Sequence, residues 1–109
     1  MQYELRVYVC ASGRLPDLLD RFKIVVLPIW AELGIDPIGF WTTEGPNRER
    51  DELVYLLRWN SDEERKTKMD AFLADPRWIQ GRDKSEVSGK LVESLSTKLL
   101  RPTSFSNTN

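Results

Sequence analysis

Residues 38–59 read IGFWTTEGPNRERDELVYLLRW, two short apolar runs separated by a charged, turn-rich stretch. Each run has the length and the β-branched and aromatic content of a strand, and Gly45, Pro46 and Asn47 punctuate the interval. The reading is a hairpin with strands at 38–43 and 53–59 and an exposed loop from Glu44 to Glu52. Strand side chains alternate between faces. On that alternation Phe40, Val54 and Leu56 share one face, while Trp41, Tyr55, Leu57 and Trp59 take the other. Both faces are apolar, and a chain of 109 residues cannot cover both with its own helices. A second copy is expected to cover one of them, giving a homodimer.

Working outward, residues 2–10 alternate, with Tyr3, Leu5, Val7 and Val9 on one side and Gln2, Glu4, Arg6 and Tyr8 on the other. Leu15, Leu18, Phe22, Val25, Ile29 and Leu33 then recur at helical spacing. Gly34 is placed to end that helix, with Ile35 packing back on Trp30. Pro28 lies inside it and removes the hydrogen bond to the Ile24 carbonyl, so a kink is expected. The kink either wraps the helix over the sheet or opens a cleft beside Trp30. Beyond the hairpin, Ser61 and Glu64 form a capping-box signature, and Asp75-Pro76 restarts a helix that carries Trp78 and Ile79 inward until Gly81 and Gly89 weaken it. A last strand is read over residues 91–100. The order strand, helix, strand, strand, helix, strand is α+β, a ferredoxin-like βαββαβ arrangement with an antiparallel sheet and both helices on one face. One domain at 1–103 with a polar tail at 104–109 is expected.

Composition excludes several classes. Sixteen basic and seventeen acidic residues give a net charge of −1 with no basic block, so nucleic acid is not expected as a partner. The longest apolar run, residues 24–30, is far short of the roughly 20 residues that span a bilayer, so no membrane partner is expected. Met1 leads directly into the first strand, and a single cysteine forms no intrachain disulfide; a cytoplasmic protein is the expectation. Histidine is absent, which removes the usual metal and haem ligand and the commonest general base near neutrality. Asp62-Glu63-Glu64 reads as the acidic first turn of a helix, Cys10 as a buried thiol, and Gly13 and Gly45 as isolated turns. No metal and no cofactor is expected.

The candidate site begins with Glu4 and Arg6, two positions apart and therefore on one face of a strand that is central in this topology. Charges there need partners. They pair with each other or across a dimer interface, or, joined by Tyr8 and Arg58, they form a site for an anionic or enol-bearing ligand with Tyr8 as proton donor. The tryptophans are core residues or walls of a pocket between the first helix and the sheet; Trp30, Trp41 and Tyr55 complete the candidate lining.

Tyr3-Glu4-Leu5-Arg6, Gly13-Arg14-Leu15-Pro16, Leu27-Pro28-Ile29-Trp30, Gly39-Phe40-Trp41-Thr42-Thr43-Glu44, Asp75-Pro76-Arg77-Trp78 and Leu100-Arg101-Pro102-Thr103 together resemble the NIPSNAP proteins over nearly the whole chain. The resemblance implies a dimeric α/β-barrel, two ferredoxin-like protomers with sheets face to face, a class that includes small monooxygenases and haem-degrading enzymes. It brings no settled catalytic residues. The compact form here looks more like bacterial members than the longer eukaryotic ones. Two functions stay open: a small apolar or aromatic molecule bound between helix and sheet, with cofactor-independent monooxygenase-like or lyase-like chemistry, or a non-catalytic dimeric binding or adaptor module. An enclosed cavity would favour the first, and a fully packed helix-sheet interface the second.

Overall fold

A computed structural model describes residues 1–43 and 51–107. Its elements are β1 (Gln2–Cys10), α1 (Leu15–Arg21), a π-helical segment (Phe22–Val26), α2 (Leu27–Leu33), β2 (Asp36–Thr42), β3 (Glu52–Trp59), α3 (Asp62–Ala74), α4 (Pro76–Ser85) and β4 (Val92–Leu100). The strands form one antiparallel sheet in the order β2-β3-β1-β4. This is the expected ferredoxin-like α+β fold, with β1 and β3 central. Most of the expected hairpin loop, residues 44–50, lies outside the described residues. No described helix is long and apolar enough to cross a membrane.

The segments from α1 through α2 form one uninterrupted right-handed helix in which the turn before Pro28 is π-helical. There the Leu27 N–H donates to the Phe22 carbonyl, five residues back. The wide turn resolves the problem that Pro28 poses, because the proline now stands in the first turn of α2, where a missing N–H costs little. Gly34 ends α2 at φ 75°, and the Ile35 N–H closes on the Trp30 carbonyl at 3.0 Å.

Ser61 caps α3 by accepting from the Glu64 N–H at 3.0 Å. The returning Glu64 carboxylate reaches the N–H of Asn60, also at 3.0 Å, one residue before the cap residue of a reciprocal box. Asp75 caps α4. Gly81 does not end α4. It lets α4 approach the π-helical segment, since a Cβ on Gly81 would stand 2.6 Å from Val25 Cγ1. Ile79, expected inward, is exposed, whereas Trp78 packs on the core.

Register corrects one expectation about the sheet. Phe40 stands opposite Tyr55, and Trp41 stands opposite Val54. Opposed residues share a face, so Phe40 joins Tyr55, Leu57 and Trp59 beneath the helices and Trp41 joins Val54 and Leu56 on the uncovered face. Alternation orders side chains within a strand but leaves the offset between strands free. Here the offset includes an irregularity between Pro37 and Gly39.

The same register shows which row of β1 is inside. Arg6 pairs with Tyr55 and Tyr8 with Leu53, placing the polar row Glu4, Arg6 and Tyr8 under the helices. Leu5, Val7 and Val9, paired with Leu56, Val54 and Glu52, look outward. The apolar row of the central strand therefore lies on the uncovered face. The core between sheet and helices is built on Leu18, Val26, Trp30, Tyr55, Leu57 and Trp59, all essentially inaccessible.

A candidate ligand cavity between helices and sheet

The polar row of β1 is held by a chain of directed bonds. Arg6 Nη1 donates to Glu4 Oε2 at 2.8 Å, in a pair whose side chains are 12% and 4% exposed. Glu4 Oε1 accepts from Trp59 Nε1 at 3.1 Å. A buried carboxylate with a guanidinium on one oxygen and an indole N–H on the other is neutralised and hydrogen-bonded, as such burial requires. Arg6 Nε donates to the Tyr55 hydroxyl at 2.7 Å, and Nη2 to the Tyr8 hydroxyl at 3.2 Å. Burial opposes the Arg6 charge, but Tyr55, Tyr8 and Glu4 more than offset it and hold the pKa above its ordinary value.

Because a guanidinium only donates, both tyrosine oxygens accept from Arg6, and the bond between the two hydroxyls uses one of their two protons. Tyr55 accepts from Arg6, and its own proton goes to the Tyr8 oxygen at 2.9 Å. Tyr8 accepts from both Tyr55 and Arg6, and its own proton finds no acceptor among the described residues. Burial, reinforced by Tyr8 and opposed by Arg6, holds the Tyr55 hydroxyl well above the ordinary tyrosine pKa.

Tyr8 and Arg6 border a cavity of about 230 Å³ between the sheet and the helices. Its aromatic walls are Phe22, Trp30, Tyr55, Phe72 and Trp78. Phe22 and Trp30 meet edge to face with ring centres 5.8 Å apart, and Phe72 and Trp78 stand tilted at 34° with centres 4.9 Å apart. Met69 and Leu73 of α3 and Val92 and Leu95 of β4 add to the wall, Leu73 and Leu95 being about half exposed, and Val26 comes from the π-helical segment. Arg21 completes the lining, with Nη1 on Glu86 at 2.7 Å and its guanidinium carbon 5.1 Å from the Trp78 ring centre. Arg21, Phe22 and Val26 lie in or beside the wide turn, so the backbone irregularity ahead of Pro28 shapes the cavity wall.

Of the seven residues singled out from sequence, Arg6, Tyr8, Trp30 and Tyr55 line this cavity, and Glu4 lies behind it, holding Arg6. Trp41 and Arg58 do not belong to the group. Both lie on the opposite face of the sheet, where Trp41 is 53% exposed and Arg58 pairs with Asp36 at 2.9 Å. The cause is the strand offset described above for Trp41, and for Arg58 its parity on β3, opposite to Tyr55. Arg21 was missed although it carried a signal: a cation three positions after Leu18, inside the apolar stripe of the first helix. Cys10 is buried away from the cavity, and that burial pushes its thiol pKa up.

Fold and cavity together define a ferredoxin-like α+β protein with a lined chamber between its helices and its sheet. The NIPSNAP family model matches residues 3–107, and the chain belongs to the NIPSNAP family. It is similar to a NIPSNAP family protein with unknown function from Agrobacterium tumefaciens str. C58, at 26% identity and TM-score 0.81 over 98% of this chain and 92% of that one. A second NIPSNAP family protein from the same organism superposes at TM-score 0.85 with 22% identity, over 99% and 98% of the two chains. An uncharacterized NIPSNAP domain protein from Burkholderia xenovorans gives 0.80 and 22%, over 97% and 98%. No curated protein matches the sequence.

Proposed function

We propose that this protein is a homodimer whose uncovered sheet faces pack together and whose protomers each bind a small apolar or aromatic molecule in the cavity between helices and sheet. The observation that carries the reading is the cavity itself: about 230 Å³, walled by aromatics and bordered by a hydroxyl whose proton has no acceptor among the described residues. An engineered cavity of about 150 Å³ holds benzene, so this one suits a substituted ring or a pair of fused rings. The adaptor alternative expects a fully packed helix-sheet interface, and the cavity weighs against it.

Any chemistry in the cavity draws on the bound molecule's own reactivity, in the manner of cofactor-independent monooxygenase-like or lyase-like reactions, with Tyr8 as the group that donates a proton or a hydrogen bond. Dimer formation is supported by the outward row Leu5, Val7 and Val9 on the central strand, flanked by Val54 and Leu56.

The test is a thermal-shift screen of one- and two-ring aromatic compounds against the protein and its Leu95→Trp variant. Leu95 lines the cavity from the edge strand and is half exposed, so the larger side chain obstructs the cavity without entering the core. Compounds are expected to raise Tm of the native protein and not of the variant. Equal shifts in both would place binding elsewhere.

A further inference from the structure

Resting on the cavity reading above, we infer that the ligand is an uncharged carbonyl compound, a ketone on a ring system, bound through its oxygen to the Tyr8 hydroxyl. Three observations converge. First, the cavity wall offers a donor: the Tyr8 oxygen accepts from both Arg6 and Tyr55, so Tyr8 has its own proton to give. An occupant that accepts is therefore favoured over one that donates.

Second, no carboxylate is among the described residues that line the cavity, so a hydroxyl or amine donor on the ligand would find only weak acceptors among them. Third, both guanidiniums at the cavity are already neutralised, Arg6 by Glu4 at 2.8 Å and Arg21 by Glu86 at 2.7 Å. An ionised ligand would surrender its hydration without meeting an unpaired cation. A ketone oxygen accepts hydrogen bonds, carries no net charge and leaves its rings to the aromatic walls.

The hydrogen-bond relay makes Tyr8 the effective donor. Arg6 donates to both tyrosine oxygens and Tyr55 donates to Tyr8, so each bond polarises the next toward the cavity. A carbonyl oxygen at the end of this chain is activated toward enolisation or addition at its carbon.

The experiment uses three compounds of one skeleton: 1-tetralone, its parent hydrocarbon tetralin, and 1,2,3,4-tetrahydro-1-naphthoate. Affinities are measured by titration calorimetry for the native protein and for Tyr8→Phe. The native protein is expected to bind the ketone more tightly than either analogue. In Tyr8→Phe the ketone should weaken by about tenfold, the scale of one net hydrogen bond, while tetralin binds as before and so reports an intact cavity. A carboxylate that binds as well as the ketone, or a ketone indifferent to Tyr8→Phe, overturns the inference and leaves the cavity reading standing. Failure of all three compounds to bind the native protein removes the cavity reading together with the inference.

Discussion

Glu4 and Trp59 are joined across the two central strands by a buried hydrogen bond, from the indole Nε1–H to the carboxylate at 3.1 Å. The bond makes Glu4 the hinge between a structural duty and the cavity, because the other carboxylate oxygen fixes Arg6. It also determines how the pair should be dissected.

Arg6→Met leaves the Glu4 charge buried without its cation and is expected to cost about 3 kcal/mol or more in stability. Adding Glu4→Gln removes that charge while keeping an acceptor for Trp59, and should recover much of the loss. A double replacement by apolar residues should recover less, since an orphaned buried N–H costs about 1–3 kcal/mol. Urea denaturation of the three variants at one fixed protein concentration decides the matter. An Arg6→Met protein as stable as the native one would show that the pair carries no structural weight.

The inverted row on β1 predicts the assembly. Leu5, Val7 and Val9 face away from the helices, and a lysine placed among them would be buried without a partner in the proposed dimer. Val7→Lys should therefore yield a monomer under conditions where the native protein sediments as a dimer. Sedimentation velocity across a dilution series checks both statements, and a native protein that is monomeric and folded at micromolar concentration removes the interface.

The close approach at Gly81 predicts a coupled pair. An alanine Cβ there would sit 2.6 Å from Val25 Cγ1, so Gly81→Ala should destabilise by about 1–3 kcal/mol through overpacking, although alanine is the better helix former. Val25→Ala in the same chain should relieve the clash. The double-mutant cycle is expected to show a favourable coupling between the two replacements. Additive effects would mean that α4 can shift away without loss.

Element order was legible because each element carries its own periodicity and punctuation: the alternation of residues 2–10, Gly34 after the first helix, Ser61 and Asp75 before the later ones. Four of the seven candidate site residues line the cavity for a related reason, since a polar residue in a central strand has to find partners and those partners meet there. Trp41 was misplaced because the face it takes depends on the offset between strands, which no single strand writes. Arg58 was legible: three positions after Tyr55 in one strand, it takes the opposite face by alternation alone. Pro28 announced an irregularity without specifying its form, because a kink and a wide turn both accommodate a missing N–H. The walls contributed by Met69, Phe72 and Leu73 carry only ordinary helical spacing, and only the packing of α3 against the sheet makes them part of the cavity.

Tyr55 gives a pH dependence whose sign follows from its environment. Its pKa in the folded protein is pushed well above the ordinary 10.0, chiefly by burial, so above about pH 10 the unfolded chain loses a proton that the folded protein retains. The folded state then binds more protons than the unfolded one, and stability falls as pH rises from 10 toward the folded-state pKa; below 10 both states are protonated and this residue adds no slope. Cys10, raised from 9.0 by burial, adds a fall of the same sign beginning nearer pH 9, and it does so whether or not Tyr55 is present. Tyr55→Phe should therefore be less stable at neutral pH by about 1–3 kcal/mol, because Arg6 Nε loses its acceptor, yet lose less with further alkalinity than the native protein. Urea midpoints between pH 8 and 11 for the two proteins make the comparison. Curves that stay parallel above pH 10 would mean that Tyr55 ionises as readily inside the fold as outside it, and that its burial carries no penalty for the charged form.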